Sequence, residues 1–231
     1  MISVCMATYN GAKYIKKQLC SILSQIGPND ELIISDDGSK DGTLENIVGL
    51  CDNRIKVFPN NSGRHGVVPN FANALAHASG DIIFFSDQDD IWAPNKVEKI
   101  KAELQTVDLV VHDALIMDAQ DNISYVNYFS LRPPHMGFWS NLMRNCFVGS
   151  CMAFRKEVLN YAFPLPKHIL WHDMWIGLIA SKHCKVKFID EKLLYYRRHG
   201  DNASATGEKS TFSRWKQLKY RMQMLYYSFE R

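Results

Sequence analysis

The first hundred residues alternate between short runs of β-forming residues and longer segments with helical periodicity. Four runs rich in Val, Ile, Leu and Phe predict strands at 2–7, 31–35, 55–58 and 82–85. Between them, apolar residues recur at helical spacing, as in Ile15, Leu19 and Ile22, and Asn10 is expected to cap this first helix. Because strand alternates with helix, we predict an α/β domain with a mostly parallel central sheet and helices on both faces.

Polar side chains follow three of these predicted strands where each strand ends. They are Thr8-Tyr9-Asn10, Asp36-Asp37 and Asp87-Gln88-Asp89-Asp90. Each cluster alone is compatible with an ordinary turn, since Asn and Asp are good turn formers. In parallel α/β sheets, however, ligands bind beyond the carboxyl ends of the strands. We therefore predict a binding site at this edge of the sheet.

The third cluster indicates a divalent cation. Asp87, Asp89 and Asp90 follow a run of four apolar residues that is typical of a buried strand. Like charges this close repel one another unless a cation neutralises them. Carboxylate oxygens suit Mg²⁺ or Mn²⁺, and Mg²⁺ in particular is often held together with a phosphate. The alternative is an Asp-rich turn without a metal.

Composition excludes several classes of protein. A chain of 231 residues with 46% hydrophobic and 22% charged residues is ordinary for one globular domain. A net charge of +3 does not imply nucleic acid binding. No apolar run approaches the roughly 20 residues that cross a bilayer, and residues 1–6 lack the basic region of a signal peptide. The six cysteines show no CxxC spacing, so we expect reduced, buried thiols in a cytosolic protein.

A nucleotide bound here would have to be held without a glycine-rich phosphate loop. Neither GxGxxG nor GxxxxGK[ST] occurs in the sequence. Asp37 can accept from the N3–H of uracil or thymine, Asp87 from ribose hydroxyls, and Tyr9 can pack against the base. Arg64 and His65 either reach the base or pyrophosphate or are solvated loop residues.

Three motifs, in this order and at this spacing, resemble the nucleotide-sugar half of family 2 glycosyltransferases. They are Met-Ala-Thr-Tyr-Asn at 6–10, Ile-Ser-Asp-Asp-Gly-Ser at 34–39 and Ser-Asp-Gln-Asp-Asp-Ile-Trp at 86–92. The resemblance is strong over 2–104 and looser to about 204. It implies a GT-A fold with a Rossmann-like sheet and an inverting transfer of sugar from a UDP- or dTDP-linked donor.

The resemblance also implies roles for individual residues. Asp37 would contact the pyrimidine, Asp87 the ribose, and Asp89 a Mn²⁺ or Mg²⁺ ion on the diphosphate. The nucleotide-binding set is then Thr8, Tyr9, Asn10, Asp37, Arg64, Asp87 and Gln88. The sequences of residues 63–70 and 86–92 are similar to those of rhamnosyltransferase-like bacterial enzymes of surface polysaccharide synthesis. This similarity implies a glycan or lipid-linked oligosaccharide acceptor.

The second half supplies the remaining candidates. Asp173 lies near the start of an apolar helix, where it can serve as an N-terminal cap. It also matches the position of the general base in the family, with His172 as a neighbour in the pocket wall. His199 matches a histidine near the metal or diphosphate, or is a surface residue in a basic turn. Arg197 or Arg198 can screen the leaving diphosphate.

We divide the chain into a single domain at 1–204 and a basic, amphipathic helical tail at 205–231. The domain comprises a nucleotide-sugar half, 1–104, and an acceptor-side half, 105–204. Residues 118–145 read as an irregular lid or a poorly ordered loop, and 147–154 as another buried strand. The tail, through 212–231, either contacts anionic lipid on the inner face of the membrane or packs on the domain or a second subunit.

Two rival functions remain open. A sugar-nucleotidyltransferase shares the α/β sheet but normally has a glycine-rich, basic turn after strand one, which Thr8-Tyr9-Asn10-Gly11 lacks. A nucleotide-sugar or carbohydrate-binding module without catalysis would not need both a metal ligand and a base. Hydrolysis of a nucleotide sugar without acceptor distinguishes an enzyme from such a module.

Overall fold

The computed structural model describes residues 1–200 and 213–231. The strands in these ranges are β1 (Ile2–Thr8), β2 (Glu31–Asp36), β3 (Ile55–Pro59), β4 (Ile82–Ser86), β5 (Ile91–Trp92), β6 (Leu109–Met117), β7 (Ile123–Asn127), β8 (Met152–Arg155) and β9 (Val186–Arg197). The helices are α1 (Ile15–Leu23), α2 (Thr43–Val48), α3 (Val67–His77), α4 (Lys96–Glu103), α5 (Tyr128–Leu131), α6 (Phe138–Met143), α7 (Leu159–Ala162), α8 (His172–His183) and α9 (Arg214–Phe229).

The strands form one sheet in the order β3-β2-β1-β4-β8-β6-β9-β5, and β7 pairs with β6 beside this path. The pairings among β3, β2, β1 and β4 are all parallel. Strand β8 runs antiparallel to both β4 and β6, whereas β6 and β9 are parallel. The α/β fold class is therefore confirmed, with parallel pairing in the first half and mixed pairing in the second.

The core forms where helices cover both faces of the central strands. Every residue of β2 is buried, and in β1 only one of seven is partly exposed, as expected for strands covered on both faces. The predicted stripe Ile15, Leu19 and Ile22 of α1 is fully buried against the sheet. In α8, Trp175 is also fully buried, and its Nε1 donates to Ala162 O at 2.8 Å, so its polar atom is satisfied.

Several local predictions from the sequence are wrong. Asn10 does not cap α1, because Tyr14 occupies the N-cap position and Asn10 Oδ1 instead accepts from Lys40 N at 2.9 Å. The strand expected at 147–154 is reduced to β8, because a short 3₁₀ turn forms at Gly149–Cys151. Residues 118–145 are not irregular throughout, since they contain β7, α5 and α6.

The cysteine prediction holds only in part. All six cysteines are free. Cys5, Cys146 and Cys151 are buried, as expected for small apolar side chains. Cys20 lies on an exposed position of α1, and Cys51 is exposed beyond the end of α2, whereas Cys184 is partly buried.

The C-terminal helix α9 packs against the domain through one face. Met224 and Ser228 are buried, and Lys182 Nζ donates to Ser228 O at 2.7 Å. The opposite face exposes an apolar stripe, with Trp215 82% and Phe229 73% exposed. Packing on the domain, one of the alternatives for the tail, is thus present. The proposed boundary at 204/205 falls outside the described residues.

Within residues 1–200 and 213–231, no helix combines the length and the apolar character needed to cross a bilayer.

Candidate functional site

A cavity of about 1140 Å³ opens at the carboxyl ends of β1, β2 and β4. Nine of the ten candidate site residues from the sequence contribute to its lining. These are Thr8, Tyr9, Asn10, Asp37, Asp87, Gln88, Asp89, Asp173 and His199. The strand ends therefore bring together side chains that are far apart in the sequence, as the general rule for α/β sheets predicts.

Arg64 is the candidate that the fold does not bring into this cavity. Its guanidinium Nη2 donates to Lys167 O, and its own carbonyl accepts from Asn60 Nδ2 at 2.9 Å. The neighbouring His65 instead contacts the site directly, with Nδ1 3.0 Å from Asp37 Oδ1. A role for Arg64 in nucleotide binding stays a prediction that this arrangement does not support.

The loop after β1 is held by Gln88. The Gln88 amide makes two reciprocal bonds with the backbone of Tyr9: its Oε1 accepts from Tyr9 N at 2.9 Å and its Nε2 donates to Tyr9 O at 3.0 Å. Tyr9 itself is 57% exposed at the cavity, so its ring face is accessible to a planar ligand. Gln88 therefore joins the ends of β1 and β4 and positions Tyr9.

The two aspartates at the end of β2 have different roles. Asp36 is structural: its carboxylate accepts from Thr8 Oγ1 at 2.8 Å and from Ser39 N and Oγ at 2.8 and 2.6 Å. The Thr8 hydroxyl is thereby committed to Asp36 and lies beneath the cavity surface. Asp37 lines the cavity and accepts from Gly66 N at 2.7 Å and Asn60 Nδ2 at 2.8 Å. The sequence analysis assigned Asp37 to the site but gave no structural role to Asp36.

Asp90 points away from the cavity. It is 1% exposed, and its Oδ1 accepts from Arg197 N at 2.9 Å. Burial, together with the nearby charges of Asp89 and Asp87, raises the pKa of Asp90 well above its ordinary value. Of the three predicted carboxylates, Asp87 and Asp89 are therefore the two that face the cavity.

Asp87 lies on the cavity floor in an unfavourable environment for a negative charge. Burial, and then the charges of Asp89 and Asp173, raise its pKa to about 7. The opposing positive charge comes from Lys96, which is fully buried and whose Nζ donates to Ser150 O at 2.9 Å. A repelling carboxylate cluster of this kind is the environment that a divalent cation relieves.

Lys96 was missed by the sequence reasoning. It lies on the first turn of α4, where a lysine is normally solvated, but it is 0% exposed. Its Nζ lies 4.4 Å from the centroid of the Trp92 ring. Burial lowers its pKa to about 8, against the effect of nearby negative groups. The only sequence signal for this position was its closeness along the chain to the aspartate cluster.

Asp89 and His199 form the candidate metal site. Asp89 Oδ2 lies 2.8 Å from His199 Nε2, so one carboxylate oxygen and one imidazole nitrogen occupy adjacent positions. Within 1–200 and 213–231, no group of three or more His, Cys, Asp or Glu side chains could hold a metal. The two donors fit a Mn²⁺ or Mg²⁺ ion that takes its other ligands from water and a phosphate.

Arg197 supports this pair from behind the cavity surface. Its side chain is 1% exposed, its Nε donates to Asp89 O at 2.6 Å, and its guanidinium lies 4.6 Å from the Tyr14 ring centroid. This buried position does not favour the prediction that Arg197 screens a leaving diphosphate directly. Its contacts instead fix the backbone of Asp89.

Asp173 lies at the N-terminus of α8. Trp171 is the N-cap residue, so Asp173 is not the cap itself. Its Oδ1 accepts from Met174 N at 2.7 Å and its Oδ2 from Gly149 N at 3.1 Å. Burial raises the pKa of Asp173 to about 6, against the effect of these two backbone bonds and of the positive charge on Arg132. A carboxyl with this pKa is ionised at neutral pH and can accept a proton.

His172 forms part of the cavity wall, where the sequence placed it. Its ring stacks on Phe71 at 4.0 Å and meets Phe85 edge-on at 5.0 Å. Burial lowers its pKa to about 3, so the imidazole is neutral. Its packing holds the N-terminus of α8, and hence Asp173, against α3 and β4.

The remaining wall of the cavity was largely missed by the sequence reasoning. It comes from residues 128–148 and from α9, and includes Tyr128, Arg132, Arg144 and Arg221. The aromatic character of 118–145 was the available signal. Periodicity gave no indication that α9 reaches this cavity, because the long-range packing of a helix is not encoded in its local pattern.

Comparison with known proteins agrees with this geometry. The family model for glycosyl transferase family 2 matches residues 3–163. An uncharacterised glycosyltransferase of Nostoc sp. is 34% identical over 92% of this chain and 70% of its own length. The Escherichia coli UDP-Glc:alpha-D-GlcNAc-diphosphoundecaprenol beta-1,3-glucosyltransferase WfgD is 28% identical over 79% of this chain and 71% of its own length.

Solved structures share the fold at low sequence identity. The crystal structure of Staphylococcus aureus TarS 1–349 with UDP-GlcNAc has a TM-score of 0.71 at 18% identity, covering 97% of this chain and 66% of that one. The Pyrobaculum calidifontis mannosyltransferase PcManGT with GDP-Man and Mn²⁺ has a TM-score of 0.65 at 20% identity, covering 100% and 64%. This chain thus spans about two thirds of the length of these crystallised proteins.

A family model that covers most of the chain, a relative at 34% identity and structural neighbours of one architecture agree with one another. The chain belongs to glycosyl transferase family 2 and has the GT-A fold.

Proposed function

We propose that this protein transfers a sugar, with inversion at the anomeric carbon, from a UDP- or dTDP-linked donor to a hydroxyl group of a glycan or lipid-linked oligosaccharide. The observation that carries the proposal is the shared cavity. The carboxylates Asp37, Asp87 and Asp89 lie at its strand-end side, and Asp173 lines the same space from α8. This arrangement supports a site in which donor-binding groups and a proton acceptor surround one volume.

The donor nucleotide would occupy the strand-end side. Asp37 offers a carboxylate to the N3–H of the pyrimidine, the exposed Tyr9 ring offers a stacking face, and Asp87 faces the ribose. Asn10 contributes to the same wall, and Gln88 acts through the backbone of Tyr9. Thr8 contributes through its backbone position, since Asp36 uses its hydroxyl.

Asp89 and His199 would hold the divalent cation, Mn²⁺ or Mg²⁺. Such an ion, when bound, supplies positive charge that stabilises the leaving nucleoside diphosphate. Arg197 keeps the Asp89 backbone in place through its bond to the Asp89 carbonyl. The charge of Lys96 lowers the electrostatic cost of placing Asp87 beside Asp89.

Asp173 would be the general base. Its carboxylate is held by two backbone N–H groups, and it is ionised at neutral pH because its pKa is about 6. It accepts the proton of an acceptor hydroxyl as that oxygen attacks the anomeric carbon from the face opposite the leaving group. Positioned base catalysis of this kind contributes roughly 10²–10⁴-fold to rate.

Two named relatives support the proposed acceptor class. WfgD and WfaP of Escherichia coli are named as glucosyltransferases acting on a diphosphoundecaprenol-linked sugar. We propose a related role in bacterial surface polysaccharide synthesis, in the cytoplasm, with the exposed face of α9 contacting the inner face of the membrane. The rhamnosyltransferase-like subgroup stays a prediction, since both named relatives transfer glucose.

The test measures turnover of a panel of UDP- and dTDP-sugars in the presence of Mn²⁺. Nucleotide release reports the rate, and NMR of the product reports its anomeric configuration. We expect one donor to be used, and the anomeric configuration of the product to be opposite to that of the donor. Asp173→Asn should abolish most turnover, whereas Asp190→Asn, which removes a carboxylate whose side chain is 82% exposed, should not. Retention of configuration, or full activity in Asp173→Asn, would contradict the proposed mechanism.

A further inference from the structure

Three arginines from separate parts of the chain line the same cavity. Arg132 follows α5, Arg144 follows α6 and Arg221 lies within α9. The guanidinium Nη2 of Arg221 donates to Met143 O at 2.7 Å, which holds it beside Arg144. Arg132 is near enough to Asp173 for its charge to act on that carboxyl. The three cations therefore lie on the wall that runs from α9 towards Asp173.

None of these three arginines forms a salt bridge with an acidic side chain of the described residues, although the charge of Arg132 acts on Asp173 at longer range. Among residues 1–200 and 213–231, arginine salt bridges with aspartate are made by Arg54 and Arg197, and by none of these three. Arg144 is exposed, and Arg132 and Arg221 are partly exposed. A wall with three arginines that form no salt bridge raises the local concentration of anions.

We propose that Arg132, Arg144 and Arg221 form a subsite for the phosphate groups of the acceptor, so that the substrate is a sugar carried on a phosphate or diphosphate ester. This inference rests on the proposed glycosyl transfer. A guanidinium group presents a planar fork of N–H donors that matches phosphate oxygens in a bidentate manner. A neutral glycan would bring no negative charge to these groups.

The position of the subsite matches the chemistry expected at Asp173. The donor nucleotide is assigned to the carboxylate-rich strand ends, where Asp89 and His199 lie. The arginines come from the second half of the chain and meet this region near Asp173. A phosphate bound by them would place the sugar that it carries between the subsite and the base, with a hydroxyl group towards Asp173. Two relatives are named for acceptors of this chemistry.

The experiment is a binding titration in metal-free buffer containing EDTA. The probes are α-N-acetylglucosaminyl undecyl diphosphate and the neutral undecyl α-N-acetylglucosaminide, which has the same sugar and alkyl chain. Wild-type protein should bind the diphosphate ester at least tenfold more tightly than the neutral glycoside. The triple variant Arg132→Gln, Arg144→Gln, Arg221→Gln should lose this preference.

A second set of charge removals serves as the control. Lys16→Gln, Lys101→Gln and Lys185→Gln together remove the same charge from exposed positions outside the cavity, and should retain the preference. Arg144→Gln alone should reduce it about threefold to tenfold, which provides a variant with one exposed change if the triple variant does not fold. Equal binding of the two probes to wild-type protein, or an unchanged preference in the triple variant, overturns the inference.

A third probe distinguishes two sources of phosphate. A soluble glycerol phosphate tetramer carries phosphodiesters without lipid. Arginine-dependent binding of the undecyl diphosphate alone supports a lipid diphosphate acceptor, and arginine-dependent binding of the tetramer supports a phosphate-containing polymer. Either result supports the subsite.

Titration with UDP and Mn²⁺ separates this inference from the proposed function. The triple arginine variant should bind UDP·Mn²⁺ within about twofold of wild type, and Asp89→Ala should still bind the diphosphate ester. If wild-type protein binds UDP·Mn²⁺ but not the ester, only the subsite is contradicted. If the triple variant loses UDP·Mn²⁺ binding while remaining folded, the arginines serve the donor, and the subsite is again contradicted. If wild-type protein binds neither UDP nor dTDP, the proposed function itself fails.

Discussion

Replacing Asp173 with asparagine should remove activity and should make the stability of the protein, relative to wild type, more favourable at pH 7.5 than at pH 4.5. Asparagine retains one side-chain oxygen, which can accept from Gly149 N or from Met174 N, so one of the two backbone bonds is kept and the other is lost at every pH. It cannot take a proton from an acceptor hydroxyl at neutral pH. The loss of positioned base catalysis should reduce kcat by roughly 10²–10⁴-fold. Binding of UDP with Mn²⁺ should be nearly unchanged, because the nucleotide is assigned to the strand-end side.

The stability effect follows from the pKa of Asp173, which is raised from an ordinary value of 3.8 to about 6. A carboxyl with a raised folded-state pKa contributes stability that is fully present below the unfolded-state pKa. This contribution is lost as the pH rises through the folded-state pKa. Wild-type protein therefore has it at low pH and lacks it at pH 7.5, whereas asparagine does not titrate.

The size of the effect can be worked from the same shift. One pKa unit corresponds to about 1.4 kcal/mol, so a shift of about two units sets an upper limit near 3 kcal/mol. Asp173 is partly exposed to the cavity, which reduces this value. We expect the variant's stability relative to wild type to be about 1–2 kcal/mol more favourable at pH 7.5 than at pH 4.5. In a domain of this size that corresponds to a Tm difference of roughly 2–8 °C.

The assay is thermal unfolding of wild type, Asp173→Asn and the exposed control Asp190→Asn at both pH values, with turnover measured on the same samples. The control should show neither the pH-dependent stability difference nor the loss of turnover. A variant that is inactive but no more stable at pH 7.5 than at pH 4.5, relative to wild type, would show that the Asp173 environment has been misjudged.

Three further measurements test the base, the donor-side loop and the packing of α8. The kcat/KM of wild-type protein should fall about tenfold per pH unit below pH 6 and level off above it, because Asp173, with a pKa of about 6, must be ionised to act as base. A profile that is flat down to pH 5 contradicts this role. Gln88→Ala removes both hydrogen bonds to the Tyr9 backbone, which contribute about 1 kcal/mol each. It should raise the KM for the donor several-fold in initial-rate measurements. An unchanged KM would mean that Tyr9 does not need this support. Gly177→Ala places a methyl group closer to the ring of Phe147 than van der Waals contact allows. The free energy of unfolding should fall by about 1–3 kcal/mol in urea titrations. An unchanged midpoint of urea unfolding would show that the ring moves aside without cost.

The first half of the fold was predictable because its information is local. The strands 2–7, 31–35, 55–58 and 82–85 correspond to β1, β2, β3 and β4 within one residue at each end, since short β-branched runs alternate there with helical stripes. The strand-end rule then placed Asp37, Asp87 and Asp89 at one cavity without further knowledge of packing.

The second half was less predictable because its arrangement depends on long-range packing. The run at 147–154 is apolar enough for a strand, but the backbone forms a 3₁₀ turn at Gly149. Gly149 packs closely against His172 there, since a Cβ atom on Gly149 would lie 3.0 Å from His172 Nε2. Burial of Lys96 beneath the aspartates has no periodic signature. The approach of α9 to the cavity likewise depends on contacts between residues far apart in the chain, such as Arg221 with Met143.

The proposed function requires the cavity to bind a nucleoside diphosphate through a cation held by Asp89. The most direct measurement is calorimetric titration of UDP, and separately of dTDP, into wild-type protein and Asp89→Ala, each with Mn²⁺ and with EDTA. Wild-type protein should bind at least one of the two nucleotides only with Mn²⁺, and Asp89→Ala should have lost this metal-dependent binding. Equally tight binding in EDTA, or Mn²⁺-dependent binding that survives in Asp89→Ala, would contradict it.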